Sequence, residues 1–227
     1  MEVNLVSYSQ VNPDMFEGTD VKNIEDLVAY CARVSNPANQ LNTETNEKLL
    51  KYLIREKHWS PFEMVSVCLE ITTTRDIARQ ILRHRSFSFQ EFSQRYANPV
   101  SDLKSVRREA RLQDTKNRQN SIDVDDDHLQ QSWLIEQDKV WLSAVKAYNW
   151  AIEMGIAKEQ ARAVLPEGMV ESKIYVNGTL RSWIHYIELR EKNGTQKEHS
   201  EIARACADVI TKIFPLGNSY LAPPKQT

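Results

Sequence analysis

The alternation from Phe62 to Thr72 constrains this chain's fold more than any other feature. Val65, Val67, Leu69 and Ile71 share one side of an extended segment, and Met64, Ser66, Cys68 and Glu70 share the other. Successive side chains of a strand point to opposite faces, so this period of two reads as a strand. Pro61 separates it from a helical pattern of about 45 to 57 carrying Leu49, Leu50, Leu53 and Ile54. An earlier amphipathic helix, about Asn23 to Val34, has Ile24, Leu27, Val28 and Cys31 at helical spacing. A short first strand is expected around Val3 to Tyr8. After the central strand, Thr74 can cap a third helix running to about Arg85.

Downstream, the stretch from Pro99 to Asp127 is poor in apolar residues and changes from basic (Lys104, Arg107, Arg108, Arg111) to acidic (Asp123, Asp125, Asp126, Asp127). It reads as a mobile loop or a partly helical excursion with a solvated face. The longest helix follows, about His128 to Met154, with Trp133, Leu134, Val140, Trp141, Val145 and Tyr148 expected on its buried side and Gly155 at its end. A short helix stops at Pro166, and Met169 to Val176 reads as a strand. Asn177-Gly178 reads as a turn, Thr179 as the cap of a helix reaching about Arg190, and about Glu198 to Phe214 as the last helix. Helices with a few scattered strands and no strict alternation give the α+β class. We expect a single domain over 1–227 with a variable loop at about 99–127, built on a small, mostly antiparallel sheet packed by several helices.

Composition narrows the function. A 41% apolar and 26% charged content is that of an ordinary soluble globular protein. The net charge of −2 and pI near 6.2 argue against a dedicated nucleic-acid binder. No apolar run approaches the roughly 20 residues of a membrane span, and the N-terminus lacks the pattern of a signal peptide. Cys31, Cys68 and Cys206 show no Cys-x-x-Cys spacing and read as small apolar fillers in a reducing, cytoplasmic compartment. The six glycines make no Gly-x-Gly, which excludes a Rossmann fingerprint or P-loop. The five histidines show no ligand spacing, so no protein-bound metal is expected.

The chemistry concentrates between Arg83 and Tyr96, where three arginines, a histidine, a glutamate and three serines interleave with Phe87, Phe89 and Phe92. Guanidinium forks suit phosphate and the edge of a planar heterocycle. Upstream, Arg75, Arg79 and Arg83 follow at i, i+4 opposite Ile77, Ala78, Ile81 and Leu82. Like charges so spaced cost about 0.2–0.5 kcal/mol per pair. One reading is a solvated basic face relieved by an ion pair to Asp76 within the helix. A second is a nucleic-acid-binding module that uses the Arg-rich helix and the phenylalanines as a stacking platform. A third is the floor of a ligand site.

Arg83-His84-Arg85-x-x-Ser88-x-Gln90-Glu91-x-Ser93-x-Arg95 resembles the signature of the flavin-dependent thymidylate synthases, the thymidylate synthase complementing protein family. Gln90 stands where Asn is usual. Ala32-Arg33-Val34-Ser35, His58-x-Ser60-Pro61-Phe62-Glu63, Ala78-Arg79-Gln80, Ala161-Arg162-x-Val164-Leu165-Pro166 and Leu180-Arg181-Ser182…Leu189-Arg190 resemble its other blocks, in order. The resemblance implies reductive methylation of dUMP to dTMP in a homotetramer with sites shared between subunits. Methylenetetrahydrofolate would give the one-carbon unit, NADPH-reduced FAD the hydride, and no protein nucleophile, nucleic acid or membrane would be involved. It implies dUMP contacts for Gln80, Ile81, Leu82, Arg83, Glu91, Phe92, Ser93, Gln94, Arg95, Arg162 and Arg190. Ser93 and Arg95 would hold the phosphate, and Arg190 would be the catalytic group facing the uracil. It implies FAD contacts for Ser60, Arg83, His84, Arg85, Glu91, Thr179, Arg181 and His185, with Thr179 in the place of the family's asparagine. Three residues keep a plainer alternative: His185 could pair with Glu188 or Arg181, Arg190 could serve as a cation at the helix C-terminus, and His58 could be a simple loop residue.

Overall fold

A computed structural model describes residues 1–215. Its centre is a four-stranded antiparallel sheet in the order β1 (Glu2–Tyr8), β2 (Ser66–Thr74), β6 (Glu171–Thr179), β3 (Ser88–Glu91). The central strand begins four residues later than its alternation does, because Ser60–Glu63 forms a 3₁₀ turn. Val67, Leu69 and Ile71 are fully buried, as are Ile174 and Val176 beside them on β6. The helices α1 (Ile24–Ala32), α2 (Asn46–Arg55), α3 (Arg75–Ile81), α6 (Leu180–Arg190) and α7 (Lys197–Ile210) supply the rest of that core. The opposite face carries Glu70, Lys173 and Tyr175, with Lys173 3.2 Å from Glu70. The fold is α+β.

Local chemistry explains several boundaries. Asn23 caps α1 by accepting from the Asp26 amide at 3.0 Å, while Asp26 accepts from the Asn23 amide at 3.3 Å. Arg33 is buried and binds the Asn42 carbonyl, Asn46 and Thr45 at 2.6–3.0 Å, so the Ala32–Ser35 block ties α1 to α2. Lys57 takes φ 58° at the end of α2, and the amides of Lys57 and His58 return to Ile54 and Leu53. This is a Schellman-type stop made without glycine.

Four expectations are corrected. Asn177-Gly178 is no turn: β6 runs through it, with Asn177 opposite Cys68 and Gly178 opposite Val67. Gly178 is needed there for space, since a Cβ at that position would lie 2.2 Å from Phe87 Cδ1. The third helix ends at Ile81 and not Arg85, because burial of Phe87 against Trp183 (ring centroids 4.5 Å) turns the chain into β3. In the stretch 99–127 no helix forms before Asp127, and Arg107, Arg108 and Arg111 are half-buried, whereas Lys104 and the acidic residues Asp123, Asp125, Asp126 and Asp127 are solvated as expected. The stretch holds a hairpin, β4 (Arg111–Gln113) and β5 (Ser121–Asp123), and Arg107, Arg108 and Arg111 are pinned to the body. Finally, α4 (Asp127–Glu153) buries Gln137, Ala144, Tyr148 and Ala151. Trp133, Leu134 and Val140 are exposed, so the large apolar residues expected inside lie partly on the other face. Gly155 does end this region, at φ 76°. A second small core joins α4 to α5 (Lys158–Ala161) through Tyr148, Ala161, Leu165 and Val170.

Candidate active site

The fold separates the candidate residues into three groups. The first surrounds the end of α6. Arg190, its last residue, donates from Nε to His84 Nε2 at 2.9 Å. An acceptor nitrogen is unprotonated, so His84 is neutral with its proton on Nδ1. Burial, and then the Arg190 charge, lower the His84 pKa to about 4. His84 also meets Tyr186 edge-on at 4.9 Å. Next to it, fully buried His199 contacts Gln80 Oε1 through Nδ1 and the Tyr186 hydroxyl through Nε2, each at 3.1 Å. Burial, Arg190 and His84 lower its pKa to about 3. Arg83 and Arg85 extend outward from the turn and are exposed. Ile81 lies in the core and Leu82 is half-buried, so the side chain of Ile81 cannot reach a ligand.

The second group lies around the turn after β3. The Tyr96 and Ala97 amides return to the Ser93 carbonyl at 3.2 and 3.1 Å, and Phe92 is anchored to the Lys173 carbonyl at 2.9 Å. Glu91 accepts from the Ser172 hydroxyl at 3.0 Å and lies 3.7 Å from Arg75. Gln94 is buried, and a cavity of about 320 Å³ opens beside it, walled by Arg75, Arg79, Glu159, Arg162 and Glu167. Glu167 neutralises Arg79 at 2.6 Å and Glu159 faces Arg95 at 3.4 Å. Among the described residues Arg162 has no carboxylate partner, and neither do Arg83, Arg85 and Arg190. Within one chain these four guanidinium groups lie in two separate groups, Arg162 beside the cavity and Arg83, Arg85 and Arg190 around the end of α6, and a guanidinium without counter-charge attracts anions. Ser93 has no histidine in contact, which removes the usual activation of a serine nucleophile.

The third group sits where β6 passes into α6. Thr179 caps α6 by accepting from the Ser182 amide at 3.3 Å and donates to Glu63 at 2.9 Å. Arg181 pairs with Glu63, and its own Nε is buried without a partner. The bonds from Arg181 and Thr179 hold the Glu63 carboxyl below its usual range. His185 packs edge-on against Trp59 at 4.6 Å and not against Glu188 or Arg181. Ser60 and His58 are exposed beside it. Arg181 and Arg190 are nine residues apart, about half a turn of rotation on a helix of 3.6 residues per turn. One chain therefore presents the Arg181–His185 group and the Arg190–His84 group in different directions.

Sequence reasoning missed the partners that fix these groups. Arg108 clamps the start of α3, reaching Asp76 at 2.8 Å and Thr74 at 2.9 Å; the expected ion pair of Asp76 within its own helix does not form. Arg111 pairs with Glu198. His199 did carry a signal: it sits on the apolar stripe of α7 with Ile202, Ala203, Cys206 and Ile210. Phe87 and Phe89 are core residues packed on Trp183 and on one another, so they form no stacking platform.

Residues 19–216 match the family model for thymidylate synthase complementing protein. The chain belongs to that family. A probable flavin-dependent thymidylate synthase of Paramecium bursaria Chlorella virus 1 is 51% identical over 215 residues, 95% of this chain and 96% of that one. The flavin-dependent thymidylate synthase of a Synechocystis strain is 49% identical over the same length and shares. A crystal structure of the UMP/dUMP methylase PolB from Streptomyces cacaoi, bound with 5-Br dUMP, superposes with TM-score 0.79 at 25% identity. That match covers 98% of this chain and 96% of PolB.

Proposed function

We propose that this protein is a flavin-dependent thymidylate synthase that methylates dUMP to dTMP, with FAD as cofactor, NADPH as reductant and methylenetetrahydrofolate as one-carbon donor. The observation that carries the reading is Arg190: a guanidinium without a carboxylate partner among the described residues, held in one orientation by a neutral histidine. A fixed cation is what a pyrimidine ring requires as negative charge develops on it. Because His84 accepts from Arg190 and stays unprotonated at neutral pH, it orients the guanidinium without adding a competing charge. No cysteine is set up to attack the ring, since burial raises the pKa of Cys31, Cys68 and Cys206. Methylation through hydride transfer suits a chain without an activated thiol.

The Arg181 group fits a flavin dinucleotide. A half-exposed guanidinium with an orphaned Nε, the half-buried His185 ring and the exposed Ser60 offer donors and a flat contact without a glycine-rich turn. FAD, when bound, supplies the hydride. Arg181, His185, Ser60 and Thr179 would hold it on one side and Arg83, His84, Arg85 and Glu91 on another. Gln80, Arg83 and Arg190 would take the dUMP base and sugar, and Ser93, Gln94, Arg95 and Arg162 its phosphate. The divergent directions of Arg181 and Arg190 support sites shared between subunits. So do the exposed large apolar side chains along α4, Leu142 and Trp150 among them. We assign a homotetramer. Purified protein should show flavin absorbance and form dTMP from dUMP only when NADPH and methylenetetrahydrofolate are present. A flavin-free protein with no dUMP-dependent NADPH oxidation would refute the reading.

A further inference from the structure

A chain of hydrogen bonds runs from the 99–127 excursion to the candidate nucleotide contact, and its direction can be deduced from one end. Arg111 of the hairpin faces the Glu198 carboxylate. A carboxylate only accepts, so the Gln196 amide nitrogen must point to Glu198, at 2.9 Å. The Gln196 oxygen then points the other way and accepts from the Gln80 amide nitrogen at 2.8 Å. That leaves the Gln80 oxygen facing His199 Nδ1, which must carry a proton to donate. A neutral imidazole has a single N–H, so Nε2 is bare and accepts from the Tyr186 hydroxyl. Each amide, free to flip in isolation, is locked by its neighbour.

Resting on the functional reading above, we propose that His199 and Glu198 are positioning residues that fix the Gln80 amide, so that its remaining N–H is offered to an acceptor oxygen of the nucleotide. Gln80 has an oxygen and two N–H groups; the oxygen is taken by His199 and one N–H by Gln196. The free group is a donor. Arg111 of the hairpin holds the Glu198 carboxylate that sets this polarity, which gives the excursion a part in substrate recognition although it touches no candidate site residue directly.

The test is titration of the flavin-loaded protein with dUMP, monitored by calorimetry. Glu198→Gln, which can flip, and His199→Leu, which cannot donate, should each weaken dUMP binding roughly five- to tenfold, the worth of about one hydrogen bond. Flavin content should not change. His199→Asn places an N–H where Nδ1 stands and should recover most of the parent affinity. In a Gln80→Leu background, Glu198→Gln should cause no further loss, because its effect passes through Gln80. Parent-like affinity in Glu198→Gln, an Asn variant as weak as the Leu variant, or a full additional loss in the Gln80→Leu background would overturn the proposal. Should His199→Leu fail to fold, Glu198→Gln and its double variant decide the matter alone. Parent protein that does not bind dUMP would overturn the functional reading itself, and the first titration would reveal it.

Discussion

Gly178→Ala isolates the contact that couples the sheet to the site. The backbone there is not left-handed, as it is at Gly18, Gly155 and Gly194, so alanine meets no conformational penalty. The cost is steric. A methyl group would stand 2.2 Å from Phe87 Cδ1 and 2.6 Å from Cε1. The ring would have to retreat by more than 1 Å (roughly the gap to ordinary van der Waals contact). Behind it stand Trp183 and Tyr186, both fully buried, with ring centroids 4.5 and 5.8 Å away. Overpacking of this kind costs about 1–3 kcal/mol, which lowers Tm by about 3–10 °C in a chain this size. Phe87 also bonds the His84 carbonyl at 3.3 Å, so its displacement moves the imidazole that orients Arg190 and lowers turnover too. Differential scanning calorimetry of Gly178→Ala, Phe87→Leu and the double variant measures the coupling. The double variant should be less destabilised than the sum of the singles by about 1 kcal/mol or more. A single variant with the parent Tm, or strictly additive effects, would refute the close approach.

Other substitutions probe separate parts of the account. Arg190→Ala should lower dTMP formation about 10²- to 10³-fold, the usual loss on removing one charge-stabilising group, while the protein stays folded and yellow; steady-state assays and the visible spectrum check it. Lys57→Gly should stabilise by about 1 kcal/mol, since an L-residue in the left-handed region is strained, and thermal unfolding would show it. His84 and His199 protonate near 4 and 3 in the folded state, below the ordinary 6.5. Below pH 6.5 the unfolded chain takes up protons first, so stability is complete above that value and falls on acidification. Each histidine should cost about 2 kcal/mol between pH 7 and 5, read by urea unfolding, and His199→Asn should lessen the fall. An equal unfolding free energy at both pH values would contradict this.

The parts legible in the sequence were those fixed by local pattern. The alternation of Val67, Leu69 and Ile71, the cap at Thr179 and the stop at Gly155 needed no distant information. The strand at Ser88–Glu91 did, because its four residues alternate only weakly and pair with a strand more than eighty residues away. Reading Asn177-Gly178 as a turn followed its local propensity, which the ladder with β2 and the ring of Phe87 override. On α4 large apolar residues lie all round the helix, so no single stripe marked the buried face. In the site, residue types announced the chemistry, whereas their partners came from remote segments: His84 for Arg190, Glu63 for Arg181, Glu198 for Arg111. Charge along the chain reveals that a cation is present, not which anion will neutralise it.

The central claim is that guanidinium groups from different chains converge on each site, and subunit complementation tests it most directly. Arg162→Ala and Arg190→Ala proteins, each inactive alone, would be mixed, dissociated, reassociated and assayed for dTMP. If every site takes Arg162 from one subunit and Arg190 from another, about a quarter of the sites in a random assembly are intact, and activity should return to about that level. A reassociated mixture as inactive as its two components would contradict the account.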